Sequence, residues 1–180
     1  MKKMLALIVV AGVMLSGALA PMASASPAAS PDAASDGKAR GAVTNLPIPR
    51  YVSMKAASGN VRRGPSLTHR IDWVFQRRNM PLEVVAEYDN WRRVQDRDGL
   101  GGWVHYSLLS GERTVIVEPD ILTLRRTPEA NAPVTAELEA GVVAFLDQCR
   151  IDWCRVNASG YKGWAKKTAL WGVDPEEILE

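Results

Sequence analysis

The sequence predicts an all-β protein, with two small barrels in tandem behind a signal peptide and a flexible tether. Three observations lead there. The chain beyond residue 50 reads twice, with short β-prone runs in each reading. Turn-forming pairs, Asp98-Gly99 and Ser159-Gly160, separate those runs. Residues 46–172 hold little sustained helical period. The expected order is a signal peptide over residues 1–25, a disordered linker over 26–49, a first barrel over 50–111, a second over 112–173 and a C-terminal tail over 174–180.

Met1-Lys2-Lys3 is a short positive start, and the stretch from Met4 to Ala20 is almost wholly apolar or small. Ala23-Ser24-Ala25 then supplies a small-x-small site, so cleavage is expected after Ala25. The apolar run of about 17 residues is at the lower limit for crossing a bilayer. No stable membrane anchor is expected after cleavage, and the mature chain is expected to be secreted or periplasmic. From Ser26 to Asn45 the chain is Ala, Ser, Pro, Gly and scattered charge, with no aromatic residue. Such a stretch buries too little apolar surface to offset its ordering entropy, and it reads as a tether.

The repeat begins at Val61-Arg62-Arg63-Gly64-Pro65, matched by Leu124-Arg125-Arg126-Thr127-Pro128. The β-prone runs Leu82–Glu87 and Val142–Leu146 follow as strands. Trp91-Arg92-Arg93-Val94 matches Trp153-Cys154-Arg155-Val156, and Gly102-Trp103-Val104 matches Gly163-Trp164-Ala165. Ser107–Gly111 and Thr168–Gly172 close the two copies. Matched positions lie 63, 62 and then 61 residues apart, a drift that loops absorb. Each unit of about 60 residues is near the lower size for independent folding. After the second copy, Asp174-Pro175-Glu176-Glu177 has the residues of a helix start and is expected to open a last helical turn.

Both copies resemble the bacterial Src-homology-3-like domain. The resemblance rests on the Leu/Val-Arg-x-x-Pro opening, the Trp-x-x-Val strand, the Gly-Trp strand and the closing Ser/Thr-x-Leu, over about residues 51–172. The second copy adds Cys149, Trp153-Cys154 and Leu170-Trp171-Gly172-Val173, a combination similar to an exported subfamily with tandem copies. The resemblance implies small barrels and a binding role, with peptidoglycan or its peptides as ligand. The Ala-Leu-Tyr-Asp-Tyr run of the eukaryotic signalling domain is absent, so its Pro-rich-peptide site is not carried over.

Composition narrows the function classes. Two Cys and two His cannot supply four-ligand zinc or four-thiolate iron–sulfur sites, so no metal is expected. Without residues 1–25 the chain holds 20 basic and 20 acidic residues, which argues against general nucleic-acid binding. No Gly-x-Ser-x-Gly elbow and no Gly-rich phosphate loop occurs, and no cofactor is expected. His69 and His105 are the only histidines. His105 aligns with Lys166 of the second copy, as a solvated strand end would. No catalytic residue is therefore nominated, and the chain is expected not to be an enzyme.

Cys149 and Cys154 flank the tip of an expected hairpin, and export takes them to an oxidising compartment. A structural disulfide is expected. The recurring Trp residues read either as barrel packing or as ligand contacts. Arg62-Arg63 and Arg125-Arg126 read either as carboxylate clamps or as cover on a strand edge. Residues 50–110 hold 10 Lys+Arg against 6 Asp+Glu, whereas residues 112–180 hold 8 against 12. The basic first copy suits an anionic partner. The candidate ligand contacts are therefore Trp73, Trp91, Trp103, His105, Arg62 and Arg63, with cell-wall peptidoglycan or an envelope protein as partner.

Overall fold

The computed structural model describes residues 38–180. The expected signal peptide and the first part of the expected linker lie outside the described residues. Strands β1 (Ala39–Arg40) and β2 (Pro47–Ile48) form a short hairpin. The first copy then runs β3 (Arg50–Met54), β4 (Gly59–Arg62), β5 (Ile71–Phe75), β6 (Pro81–Tyr88), β7 (Trp91–Gln95), β8 (Gly101–His105) and β9 (Leu109–Ser110). The second repeats it as β10 (Thr114–Val117), β11 (Ile121–Arg125), β12 (Val134–Glu139), β13 (Val143–Cys149), β14 (Trp153–Ala158), β15 (Tyr161–Lys166) and β16 (Leu170–Trp171). A 3-10 turn precedes the last strand of each copy, at Tyr106–Leu108 and Lys167–Ala169.

The expected class is present: two tandem all-β units of the same design. Each is an antiparallel seven-stranded sheet, in the orders β5-β4-β8-β7-β6-β3-β9 and β12-β11-β15-β14-β13-β10-β16. The end strands of each sheet do not pair with each other, so neither sheet closes by hydrogen bonds into a complete barrel. The match extends to irregularities. A bulge at Val84/Ala86 recurs at Leu146/Gln148, 62 residues on. Alternation along the strands gives each copy its own core. Met54, Val61, Leu82, Val84, Val94 and Val104 fill the first, and Val115, Leu124, Leu146, Val156 and Ala165 are among those filling the second. No helix among the described residues is long and apolar enough to cross a membrane.

The two copies pack on one another. The Thr114 hydroxyl donates to the Asn79 carbonyl at 2.8 Å, and the Arg77 guanidinium to the Gly141 carbonyl at 3.0 Å. Tyr51 meets Trp171 edge-on, with ring centroids 5.4 Å apart, and the Arg113 guanidinium lies 5.7 Å from the Tyr51 ring.

Cys149 and Cys154 are bonded and stand directly opposite in the β13–β14 ladder, with Cα atoms 4.1 Å apart. Cys149 turns its amide and carbonyl the other way, onto Leu179, at 2.8 and 3.0 Å. It is thus a non-hydrogen-bonded pair with Cys154, where Cβ atoms approach closely enough for a bridge. Replacing both Cys by Ser is expected to lower stability by about 2 kcal/mol without abolishing the fold. Urea unfolding of the oxidised chain and the double variant checks this. A difference under about 0.5 kcal/mol would show that the loop is equally constrained without the bond.

Two stretches take a form that their composition does not suggest. Residues 38–49, within the stretch expected as linker, carry hairpin β1–β2, which docks on the first copy. In residues 174–180 the expected helical turn does not form. A turn closes from the Glu177 amide to the Asp174 carbonyl, and the chain then returns to pair with Cys149. The Glu177 carboxylate takes both terminal nitrogens of Arg113, and the buried Lys167 ammonium donates to the Pro175 and Glu177 carbonyls. Lys38 and Asp174 form an ion pair that joins the two flanking segments.

Candidate functional site

In each copy the two strands after the bulge turn one row of side chains outward. In the second copy that row is Trp153 and Arg155 on β14 and Trp164 and Lys166 on β15, with Trp153 opposite Lys166 and Arg155 opposite Trp164. The alternate residues Cys154, Val156 and Ala165 are fully buried, which fixes the register. The first copy presents Trp91, Arg93, Trp103 and His105 in the same places.

At one end of the second copy's row lies a cleft of about 690 Å³. Its walls are Pro128 from the loop after β11, Ile151 from the β13–β14 tip, Trp153, and Leu170 and Val173 beyond the 3-10 turn. Ile151 is 76% exposed although apolar. The Lys166 ammonium stands 5.9 Å from the centroid of the Trp153 ring and puts a cation on the rim. Glu129 and Asp152 complete the border. An apolar wall with a few charged groups at its edge is the usual make-up of a small-ligand or peptide cleft.

The matching place in the first copy is built differently. Trp91 is buried beneath His105, which meets it edge-on at 5.4 Å, and Tyr106 lies 5.0 Å beyond. His105 Nδ1 shares a hydrogen bond with the Ser107 hydroxyl at 2.8 Å and accepts from the Ser107 amide. A His–Ser contact at that distance invites comparison with a nucleophile and its base. Here it is local, two residues apart, and caps the 3-10 turn. No carboxylate holds the ring from its other side among the described residues, so the orienting third group of a catalytic triad is missing. No cluster of three or more His, Cys, Asp or Glu among the described residues is arranged to hold a metal.

The six nominated residues fall in three places. Trp91 and His105 share the aromatic stack. Arg62, Arg63 and Trp103 share a second, polar cleft of about 320 Å³. Trp73 lies apart on the edge strand β5, opposite Val61 and 39% exposed. Arg62 donates to the Leu67 and His69 carbonyls at 2.9 and 2.6 Å, and Arg125 does the same to Ala132 at 2.7 Å. The first Arg of each pair therefore pins its own loop to the sheet.

Sequence reasoning missed the most heavily bonded group of the first copy. Glu87 has a fully buried side chain. Its carboxylate accepts from the Val43 amide at 3.0 Å, the Thr44 amide at 2.8 Å, the Thr44 hydroxyl at 2.6 Å and Arg50 at 2.7 Å. The Arg92 Nε lies 3.6 Å away. Gly41 comes so close that a Cβ there would fall 2.3 Å from the carboxyl group. Burial works to raise the pKa of Glu87. The Thr44 hydroxyl and amide, Arg50 and the Val43 amide override it and bring the pKa down to about 2. Glu87 stands opposite Arg92, and these are the positions that Cys149 and Cys154 occupy in the second copy. The repeat spacing of 62 carries this signal, since counting back from the two Cys lands on residues of opposite charge.

No curated protein sequence shows significant similarity to the chain. Among solved structures, NlpC2 from Trichomonas vaginalis is 13% identical with a TM-score of 0.32, over 70% of this chain and 50% of that one. NlpC1 from the same organism is 13% identical with a TM-score of 0.33, over 78% and 51%. The chain thus spans about half the length of each. The family model described as bacterial SH3 domain matches residues 55–111 and again residues 118–172. With both copies matched and more than half of its length covered, the chain belongs to the bacterial SH3 domain family.

Proposed function

We propose that the chain is a non-catalytic binding module of the bacterial cell envelope, secreted or periplasmic, that recognises peptidoglycan or its peptides. The observation that carries this is the Trp153 cleft, with its apolar wall, exposed Ile151 and cationic rim at Lys166. A short peptide with apolar side chains and a carboxylate matches that lining. Membership of a family of binding domains supports the reading.

Co-sedimentation of the mature chain with purified sacculi tests it. Retention at low salt is expected. Ile151→Ser and Trp153→Ala together are expected to weaken it about tenfold or more, the scale of an aromatic hot spot. Ile151 is exposed, so its replacement alone leaves the fold intact and reports on the cleft. No retention of the wild-type chain would overturn the proposal. A second reading is a periplasmic protein–protein or assembly module. Edge strand β5 favours it, with Ile71, Trp73 and Val74 each about two-fifths exposed and open to strand addition. Absence of sacculus binding together with one protein cross-linked through β5 would select that reading.

A further inference from the structure

Arg62, Trp103 and Arg93 stand directly opposite one another on the neighbouring strands β4, β8 and β7. Neighbouring strands lie about 4.8 Å apart, so these three side chains leave the sheet as a packed row. Their charges are unequally answered. Arg62 is tied to two carbonyls of the loop it pins. Arg63, at the start of that loop, makes two long bonds of 3.4 Å to Asp72, which also lines the cleft and is held more closely by Arg70 at 2.7 Å. Arg93 is exposed and makes no ion pair among the described residues. Gly99, Gly101 and Gly102 line the same cleft and put no side chain over it.

The second copy repeats the row as Arg125, Trp164 and Arg155, but fills it from its own chain. The Arg150 guanidinium lies 5.0 Å from the Trp164 ring centroid, and that Trp is buried. Lys162 stands where the first copy has Gly101, and it pairs with Asp147. The first copy has no counterpart of either contact, and Trp103 remains partly open beside arginines with donors to spare.

We propose that this cleft of the first copy binds an oxyanion, a carboxylate or a phosphate ester, carried by an envelope polymer. Arg63 and Arg93 are the donors, and Trp103 lines the same cleft. The guanidinium fork matches both anions bidentately. A cleft of about 320 Å³ takes one such group, not a charged backbone. The source of the anion rests on the envelope-binding reading above, whereas the cleft's affinity for an oxyanion is separately measurable.

The test uses the mature chain and follows the Trp indole N–H resonances by NMR. Acetyl-Ala-Ala supplies a free carboxylate, its C-terminal amide is the neutral control, and glycerol phosphate is the second anion. The carboxylate, the phosphate ester or both are expected to shift Trp103 saturably, and whichever does identifies the source. The amide should leave Trp103 unmoved, and Trp164 should stay still throughout. Arg63→Gln with Arg93→Gln should weaken the response about tenfold or more, with both substitutions at exposed positions. A silent Trp103, an equal response to the amide, or an unchanged response in the double variant would each overturn the proposal. The same double variant is then sedimented with sacculi. Retention of wild type and variant alike, with Trp103 silent, removes this inference and leaves the envelope reading standing. A responsive Trp103 without sacculus retention removes the envelope reading and keeps the oxyanion cleft.

Discussion

Replacing Glu87 by alanine is expected to destabilise the first copy by about 3 kcal/mol, since breaking a buried charge pair strands its partners. The variant leaves Arg50 and Arg92 without their carboxylate, and removes the acceptor from the Val43 and Thr44 amides. Hairpin β1–β2 should then detach, which hydrogen exchange at Val43 and Thr44 will report. A loss below about 1 kcal/mol would mean that the hairpin and the arginines find water or other partners without strain. Acid should reproduce part of the effect in the wild type. The folded carboxyl is depressed to about 2, below its unfolded value, so its contribution is fully present above the unfolded pKa. It is lost as pH falls from about 4.5 toward 2, because the unfolded chain takes up the proton first. Glu87→Gln removes that titration and should flatten the stability profile across this window.

Leu124→Ala is expected to cost the second copy about 3 kcal/mol, in the middle of the range for a buried leucine. Leu124 is wholly inaccessible and packs in the cluster with Leu122, Leu146, Val156 and Ala165. Gly163 lies so near that a Cβ added there would sit 2.7 Å from the Leu124 Cβ. Strands held at that spacing have little freedom to collapse into the void, which keeps the cavity contribution in the total. Urea unfolding should show a lower midpoint with an unchanged slope. A midpoint shift smaller than that of the Cys149/Cys154 double variant would show that this core relaxes around the loss.

The repeat, the turns at Asp98-Gly99 and Ser159-Gly160 and the hairpin that carries the disulfide were legible because each rests on local chemistry and strict spacing. Hairpin β1–β2 was not. Its Gly, Thr and Asn have the composition of a linker, and it is held by hydrogen bonds to one distant carboxylate and by a single apolar residue, Ile48, against the first core. The segment at Asp174-Pro175-Glu176 carries the residues of a helix start, yet pairing of Leu179 with Cys149 outweighs that preference. The aromatic and arginine positions of the first copy were found, but not that they divide among an aromatic stack, a polar cleft and an edge strand. The Trp153 cleft went unnominated because net charge pointed to the basic copy. Its lining comes from three separated segments, within 128–130, 151–153 and 166–175, that meet only in the fold.

The ion pair between Lys38 and Asp174 joins the segment before β1 to the segment after β16. Asp174 is followed by Pro175, which lines the Trp153 cleft. The contact therefore ties hairpin β1–β2 of the first copy to the segment that carries one wall of the second copy's cleft. Salt that screens this half-exposed pair loosens a tie between the two copies while leaving each core untouched, so the mobility of Pro175 is expected to depend on ionic strength.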